Sequence, residues 1–210
     1  MRDSQQTGRL RLAHLHEVNE AHGEEMAAER GRFQRLARED SAPRVVQAFN
    51  LFQTPPELAA RLVGLLGACG RTLEPSAGLG RLYRALRASH KHSPVVLVEQ
   101  SPACCSELYR ATEGDAACRL IQGDWLEQSP DVLGLFDRIV MNPPFKMGRD
   151  VKHIEHALKF LAPSGRLVAI CGTGSRRDAL AARADRVIDL PPGSFRSEGT
   201  NAGAQILVFG

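Results

Sequence analysis

The sequence predicts a doubly wound α/β fold, a mostly parallel seven-stranded sheet with an antiparallel last strand, preceded by a helical N-terminal segment. Three observations carry the prediction. From Arg71 onward, short apolar β-rich runs alternate with helical stretches, the pattern of parallel strands joined by crossover helices. Gly78 and Gly80 follow the first of these runs at once, as a tight strand-to-helix turn requires. The last two runs are joined only by the loop 191–203, too irregular for a helix, so they should close as an antiparallel pair.

Residues 1–48 carry eight Lys/Arg and eight Asp/Glu, no strand-like run, and Leu10, Leu12, Leu15, Val18 and Met26 at loosely helical spacing. This predicts one or two solvated surface helices, since balanced charges make no basic patch. Ser41-Ala42-Pro43 marks the boundary region, and residues 49–210 form the main domain. Within it, strands are expected at 71–74, 94–99, 117–121, 135–141, 166–171, 186–190 and 204–209, and helices at 79–89, 102–110, 151–162 and 176–183. Ahead of them, Thr54-Pro55-Pro56-Glu57 reads as a threonine N-cap with proline at the helix start.

A chain of 210 residues, 43% hydrophobic and 24% charged, is a globular protein with one full core, not a disordered or fibrous one. Its formal charge of +3 neither demands nor forbids a nucleic-acid partner. The five cysteines form no C-x-x-C pair and no zinc spacing, which suits reduced thiols in a cytosol. No apolar run approaches the roughly 20 residues of a membrane helix, and the first residues are not a signal-peptide core. A soluble, cytoplasmic protein without a membrane partner is expected.

The candidate site follows from what stands at the strand ends. Ser76-Ala77-Gly78-Leu79-Gly80 is a turn in which backbone N–H groups can approach a ligand closely; Tyr83 replaces the third glycine of the dinucleotide signature. Glu74 closes the first strand, Glu99 the second, and Asp124 follows the third. A carboxylate after the second strand can accept both hydroxyls of a ribose, and one after the third can accept an adenine amino group. The pattern suits an adenosine ligand.

These residues resemble the class I S-adenosylmethionine-dependent methyltransferases, whose sheet is Rossmann-like. The resemblance implies S-adenosylmethionine as cofactor and S-adenosylhomocysteine as product, with Glu74 and Gly78 at the methionine portion, Glu99 at the ribose and Asp124 at the adenine. Pro75, Ser76, Ala77, Gly80, Gln100, Trp125 and Asn142 complete the implied cofactor contacts. Phe52-Gln53-Thr54 resembles the segment that closes over the cofactor in amino-methylating enzymes, which adds Phe52 and Thr54.

Asn142-Pro143-Pro144-Phe145 ends the fourth strand, on the same sheet edge as the glycine turn. Two prolines stiffen the backbone, so the Asn142 side-chain oxygen and the Pro143 carbonyl can accept from one –NH2 group while Phe145 stacks on the ring bearing it. Two acceptors on its hydrogens favour the form of a delocalised amine in which the lone pair is available for attack. Positioning and electrostatics then suffice, without metal or covalent intermediate.

This order of motifs over roughly residues 50–210 resembles the N6-adenine methyltransferases, and the resemblance implies methylation of an exocyclic amine, adenine N6 in DNA first. Related enzymes with this tetrapeptide methylate ribosomal RNA guanines or release-factor glutamines. Lys146, Arg149, Lys152, Arg176, Arg177 and Arg196 are expected on the same edge, where phosphates of a nucleic-acid partner would be met, with Phe195 among the substrate contacts. His153 and His156, three apart, lack a third ligand for a metal and are expected at the surface or against a loop. The 65 residues after Phe145 should be consumed by the sheet, so base reading is expected to need a protein partner, a second subunit or a structured target.

Overall fold

The computed structural model describes residues 53–68, 70–196 and 203–210; the expected N-terminal helical segment and Phe52 lie outside them. In chain order the elements are α1 (Pro56–Leu66), β1 (Thr72–Glu74), α2 (Arg81–Ser89), β2 (Val95–Glu99), α3 (Pro102–Ala111), β3 (Cys118–Gln122), α4 (Pro130–Leu133), β4 (Phe136–Met141), α5 (Arg149–Leu158), β5 (Leu161–Gly172), α6 (Ser175–Ala181), β6 (Arg186–Asp189) and β7 (Ala204–Phe209). Single 3-10 turns at Trp125–Glu127 and Lys146–Gly148 lead into α4 and α5.

The seven strands form one sheet in the order β3-β2-β1-β4-β5-β7-β6. All pairings from β3 to β5 are parallel, while β7 runs antiparallel to both β5 and β6. The closing antiparallel pair is therefore present, with the last strand inserted between β5 and β6. β5 begins at Leu161, five residues ahead of the expected strand, because its first residues pair with Phe136 before a register shift at Phe136/Arg138.

Strand alternation divides the core between the two faces of the sheet. Val95, Leu97, Val140, Val168 and Ile170 pack with α1 and α2 on one face. Val96, Val98, Ile139, Met141, Leu167 and Ala169 pack with Ile154, Phe160 and Trp125 on the other. α5 presents Asp150, His153, Ile154 and Ala157 inward, the spacing of a single helical face. Phe160 is fully buried, and truncation to alanine should cost about 3–5 kcal/mol.

Chain order reverses beside β1, which pairs with β2 on one side and β4 on the other. The crevice that opens there, beyond the carboxyl ends of the strands, is where doubly wound sheets bind ligands.

Candidate active site

A cleft of about 330 Å³ occupies that crevice, at the lower end of the range for small-molecule sites. Its walls come from the loops after β1 (Pro75, Ser76, Gly78), β2 (Glu99, Gln100, Ser101), β3 (Gly123, Asp124, Trp125) and β4 (Asn142, Pro143, Pro144, Phe145), with Arg149 and His153 of α5. The fold thus brings the expected cofactor and acceptor residues around one space. Ala77 is buried against the core, and Gly80 serves as the left-handed N-cap residue of α2. A Cβ at Gly80 would stand 2.9 Å from Leu108, so that glycine is needed for helix packing as well as for its φ of 77°.

Glu99 organises the glycine turn. One carboxylate oxygen accepts the Gly78 N–H and the other the Ser101 N–H, each at 2.7 Å. Each oxygen has a second lone pair, so hydroxyls in the cleft can still be accepted. Ser101, which the strand-end argument passes over, also caps α3 through its hydroxyl; the Ser-Pro pair at the helix start is the local signal for it.

Glu74 is 1% exposed. Burial, and after it the neighbouring Glu99 charge, push its carboxyl well above the ordinary range. The Tyr83 backbone in the first turn of α2 acts on it in the opposite direction. Its Oε2 is buried without a hydrogen-bond partner, which is costly for a carboxyl group. A smaller cavity of about 30 Å³ beside it is lined by Thr54, Ser76, Gly78 and Asn142 among others.

Asp124 accepts the Leu126 N–H at 2.9 Å through Oδ1 and stands 3.8 Å from Arg149 through Oδ2. Trp125 is buried, donating its indole N–H to the His153 carbonyl at 3.1 Å. An adenosine-linked ligand suits Glu99 and Asp124, which line the cleft from neighbouring strand ends, while Glu74 beside them leaves one buried oxygen unsatisfied.

On the acceptor side, Asn142 donates from Nδ2 to the Thr54 hydroxyl at 3.1 Å. Thr54 is therefore not the expected helix cap; Pro55 occupies that position, with no side-chain cap bond. Phe145 is half-buried and meets Phe195 edge-on, centroids 6.2 Å apart. Phe195, expected among the substrate contacts, is 1% exposed and belongs to the core behind Phe145.

The expected cations divide. Lys146, Lys152 and Arg196 are exposed and Arg149 is half-buried. Arg177, expected at phosphates, is turned inward instead: it pairs with the wholly buried Asp150 and donates to the Phe145 carbonyl at 3.1 Å. Pairing between residues 27 positions apart leaves no local pattern to read.

His153 is buried and His156 half-buried, and each meets a loop, the second of the two placements expected for them. His153 is buried with Nδ1 3.3 Å from the Ser76 hydroxyl, and burial pushes its pKa down to about 4, with the Arg149 charge acting in the same direction. His156 meets the Gln128 carbonyl at 3.0 Å and packs edge-on against Trp125. Among the described residues no group of three or more His, Cys, Asp or Glu is placed to hold a metal, and no helix is long and apolar enough to cross a membrane. Cys104, Cys105, Cys118 and Cys171 are free thiols; burial pushes the last three up to about 12, far from the reactive range.

Comparison with curated proteins gives no match. Among solved structures, TrmN from Thermus thermophilus superposes with a TM-score of 0.57 at 22% identity, covering 73% of this chain and 48% of TrmN, so the chain spans about half the length of that protein. Precorrin-6y C5,15-methyltransferase from Geobacter metallireducens GS-15 gives 0.56 at 14% identity, covering 78% and 92% of the two chains. A putative RNA methyltransferase, PH1948 from Pyrococcus horikoshii, gives 0.57 at 17% identity, covering 80% and 90%. At such identities the likeness is one of fold. The family described as methyltransferase small domain matches residues 60–184. Because that match runs from within α1 past α6 and takes in every loop of the cleft, the chain belongs to the methyltransferase small domain family, a class I fold that takes its methyl group from S-adenosylmethionine.

Proposed function

We propose that this methyltransferase acts on an exocyclic amino group of a nucleic-acid base, adenine N6 in DNA being the first candidate. The observation that carries the reading is Asn142: it lines the cleft beside the strand-end carboxylates, and its amide nitrogen donates to Thr54, so its oxygen is the end proposed to accept from the amine. With the buried Pro143 contributing its carbonyl, two acceptors converge on the hydrogens of one –NH2 group.

In the proposed reaction the amine nitrogen attacks in line, its N–C bond forming as the sulfur–methyl bond breaks, and a proton then leaves nitrogen for solvent. Bound S-adenosylmethionine supplies the electrophilic methyl on a cationic sulfur. Glu99 and Asp124 are proposed to hold the ribose and adenine, and Glu74, through its unsatisfied oxygen, to accept from the methionine ammonium, whose charge would draw the carboxyl back to its ionised form. Phe145, backed by Phe195, offers an aromatic surface for the base, and the exposed Lys146, Lys152 and Arg196 and the half-buried Arg149 offer cations for phosphates.

RNA is the second reading, favoured by the likeness to the putative RNA methyltransferase of Pyrococcus horikoshii; protein glutamine is the third. Incubation with labelled S-adenosylmethionine and separate pools of DNA, RNA and protein tests all three. Label in DNA adenine is expected, label in RNA alone moves the assignment to the second reading, and label in protein alone overturns the nucleic-acid reading.

A further inference from the structure

We propose that Arg177 is a positioning residue for the acceptor loop: seated on Asp150, its guanidinium holds the Phe145 carbonyl and so sets how the segment Asn142–Phe145 meets the incoming amine. This rests on reading that segment as the amine clamp.

The geometry is that of a built seat. Nε and Nη2 of Arg177 reach the two oxygens of Asp150 at 2.5 and 3.1 Å, a forked pairing with directional preference. Asp150 is 0% exposed and also accepts the Gly172 N–H at 3.0 Å. A carboxylate so buried is costly unless paired, so Asp150 holds the guanidinium in one place. Position 172 is shaped for it as well, since a Cβ on Gly172 would lie 2.7 Å from Arg177 Nε and 2.9 Å from Cζ.

What this seat delivers is a hydrogen bond from Nη2 to the Phe145 carbonyl at 3.1 Å, beside a longer one from Nη1 to the Thr173 carbonyl at 3.5 Å. That carbonyl is the hinge of the loop. It also accepts the Gly148 N–H at 3.3 Å, and between the two residues the chain passes through two left-handed positions, Met147 at φ 58° and Gly148 at φ 71°. A loop bent in this way needs an external anchor to hold one course, and Arg177, arriving from α6, supplies it. Fixing the Phe145 carbonyl fixes the departure of the backbone from the two prolines, and with it the tilt of the ring against Phe195. Asp150, Gly172 and Arg177 are all absent from the cleft lining, so the anchor acts on the acceptor loop and not on the cofactor.

Two variants separate positioning from bulk stability. Arg177→Lys keeps the charge and loses the fork; Gly172→Ala keeps both charges and displaces the guanidinium. In each, we expect S-adenosylmethionine affinity within about twofold of the parent by calorimetry, while amide exchange at residues 145–150 rises tenfold or more and exchange at Gly78 and Gly80 stays unchanged. Turnover on a pool of adenine-containing DNA and RNA oligonucleotides should fall at least tenfold, and the double variant should be little worse than either single one, as for one shared interaction. Unchanged exchange at 145–150, unchanged turnover, or losses that track cofactor affinity would overturn the proposal. Asn142→Ala in the same assay keeps the two readings apart. If it turns over at the parent rate, the clamp assignment and this proposal fall together; if it is inactive while Arg177→Lys and Gly172→Ala match the parent, only the role of Arg177 falls.

Discussion

Asn142 and Thr54, 88 positions apart, are joined by a 3.1 Å hydrogen bond from the amide to the hydroxyl. The bond ties the segment ahead of α1 to the motif ending β4, and it decides which end of the amide is which. Removing the Asn142 amide should therefore stop the chemistry without emptying the cofactor cleft.

For Asn142→Ala we expect turnover to fall roughly 10²–10³-fold, the scale for loss of a preorganised polar group at the reacting centre, with S-adenosylmethionine affinity nearly intact. Thr54→Val, which removes only the orienting bond, should be milder. Initial rates paired with titration calorimetry test this, and an Asn142→Ala protein with the parent rate rules the mechanism out.

Glu99 supports the glycine turn through its carboxylate and also lines the cleft. Glu99→Ala should weaken cofactor binding by about 1–3 kcal/mol, the range for hydrogen bonds to charged groups, and loosen the turn at Gly78. Equal calorimetric affinity in parent and variant would dissociate Glu99 from the cofactor.

His153 should make stability sensitive to acid. Its folded pKa of about 4 lies below the ordinary 6.5, so between these values the unfolded chain binds the extra proton and stability is lost as pH falls from 6.5 towards 4. His156, also lowered by burial, acts in the same direction, whereas Glu74, raised by burial, opposes it by favouring the folded state at low pH. Urea unfolding at pH 7 and pH 5 should show the parent losing about 1–2 kcal/mol more than His153→Gln. Parallel losses in both proteins would contradict the assignment.

Met147 is 83% exposed in a left-handed conformation. That conformation costs a non-glycine residue about 1–2 kcal/mol, and glycine gives back about 0.4–1 kcal/mol through the unfolded chain. Met147→Gly should thus be neutral to about 1 kcal/mol stabilising by urea unfolding. A clear loss of stability would mean that the side chain makes a contact its exposure does not suggest.

If the substrate is a nucleic acid, affinity should fall steeply with added salt, because contact would rest on phosphate-facing cations such as Lys146 and Arg196. Binding measured between about 50 and 200 mM salt tests this; a flat profile would point to a substrate without phosphates.

Much of this is legible in the sequence because it is local. Val95–Glu99 is an uninterrupted apolar run with an acid at its end, and Asn142-Pro143-Pro144-Phe145 is contiguous, so strand, turn and cleft position follow from a few neighbouring residues. The unread part is non-local. Nothing near Thr54 says that its hydroxyl meets Asn142, nothing near Arg177 names Asp150, and the burial of Phe195 depends on where the acceptor loop lies. A loop arginine reads as a surface cation until the fold supplies a buried carboxylate for it. His153 follows the same logic: it shares the buried face of α5 with Asp150, Ile154 and Ala157, a pattern that becomes a burial statement only once the helix is seated on the sheet.

Trp125 is the chain's one tryptophan, and it stands in the wall of the cleft with its N–H on the His153 carbonyl. The protein therefore carries its single indole fluorophore at the place where its cofactor is proposed to bind. Emission intensity and wavelength need no label and no deconvolution of several indoles, so ligand occupancy and the release of α5 from the turn after β3 can each be followed optically from one residue.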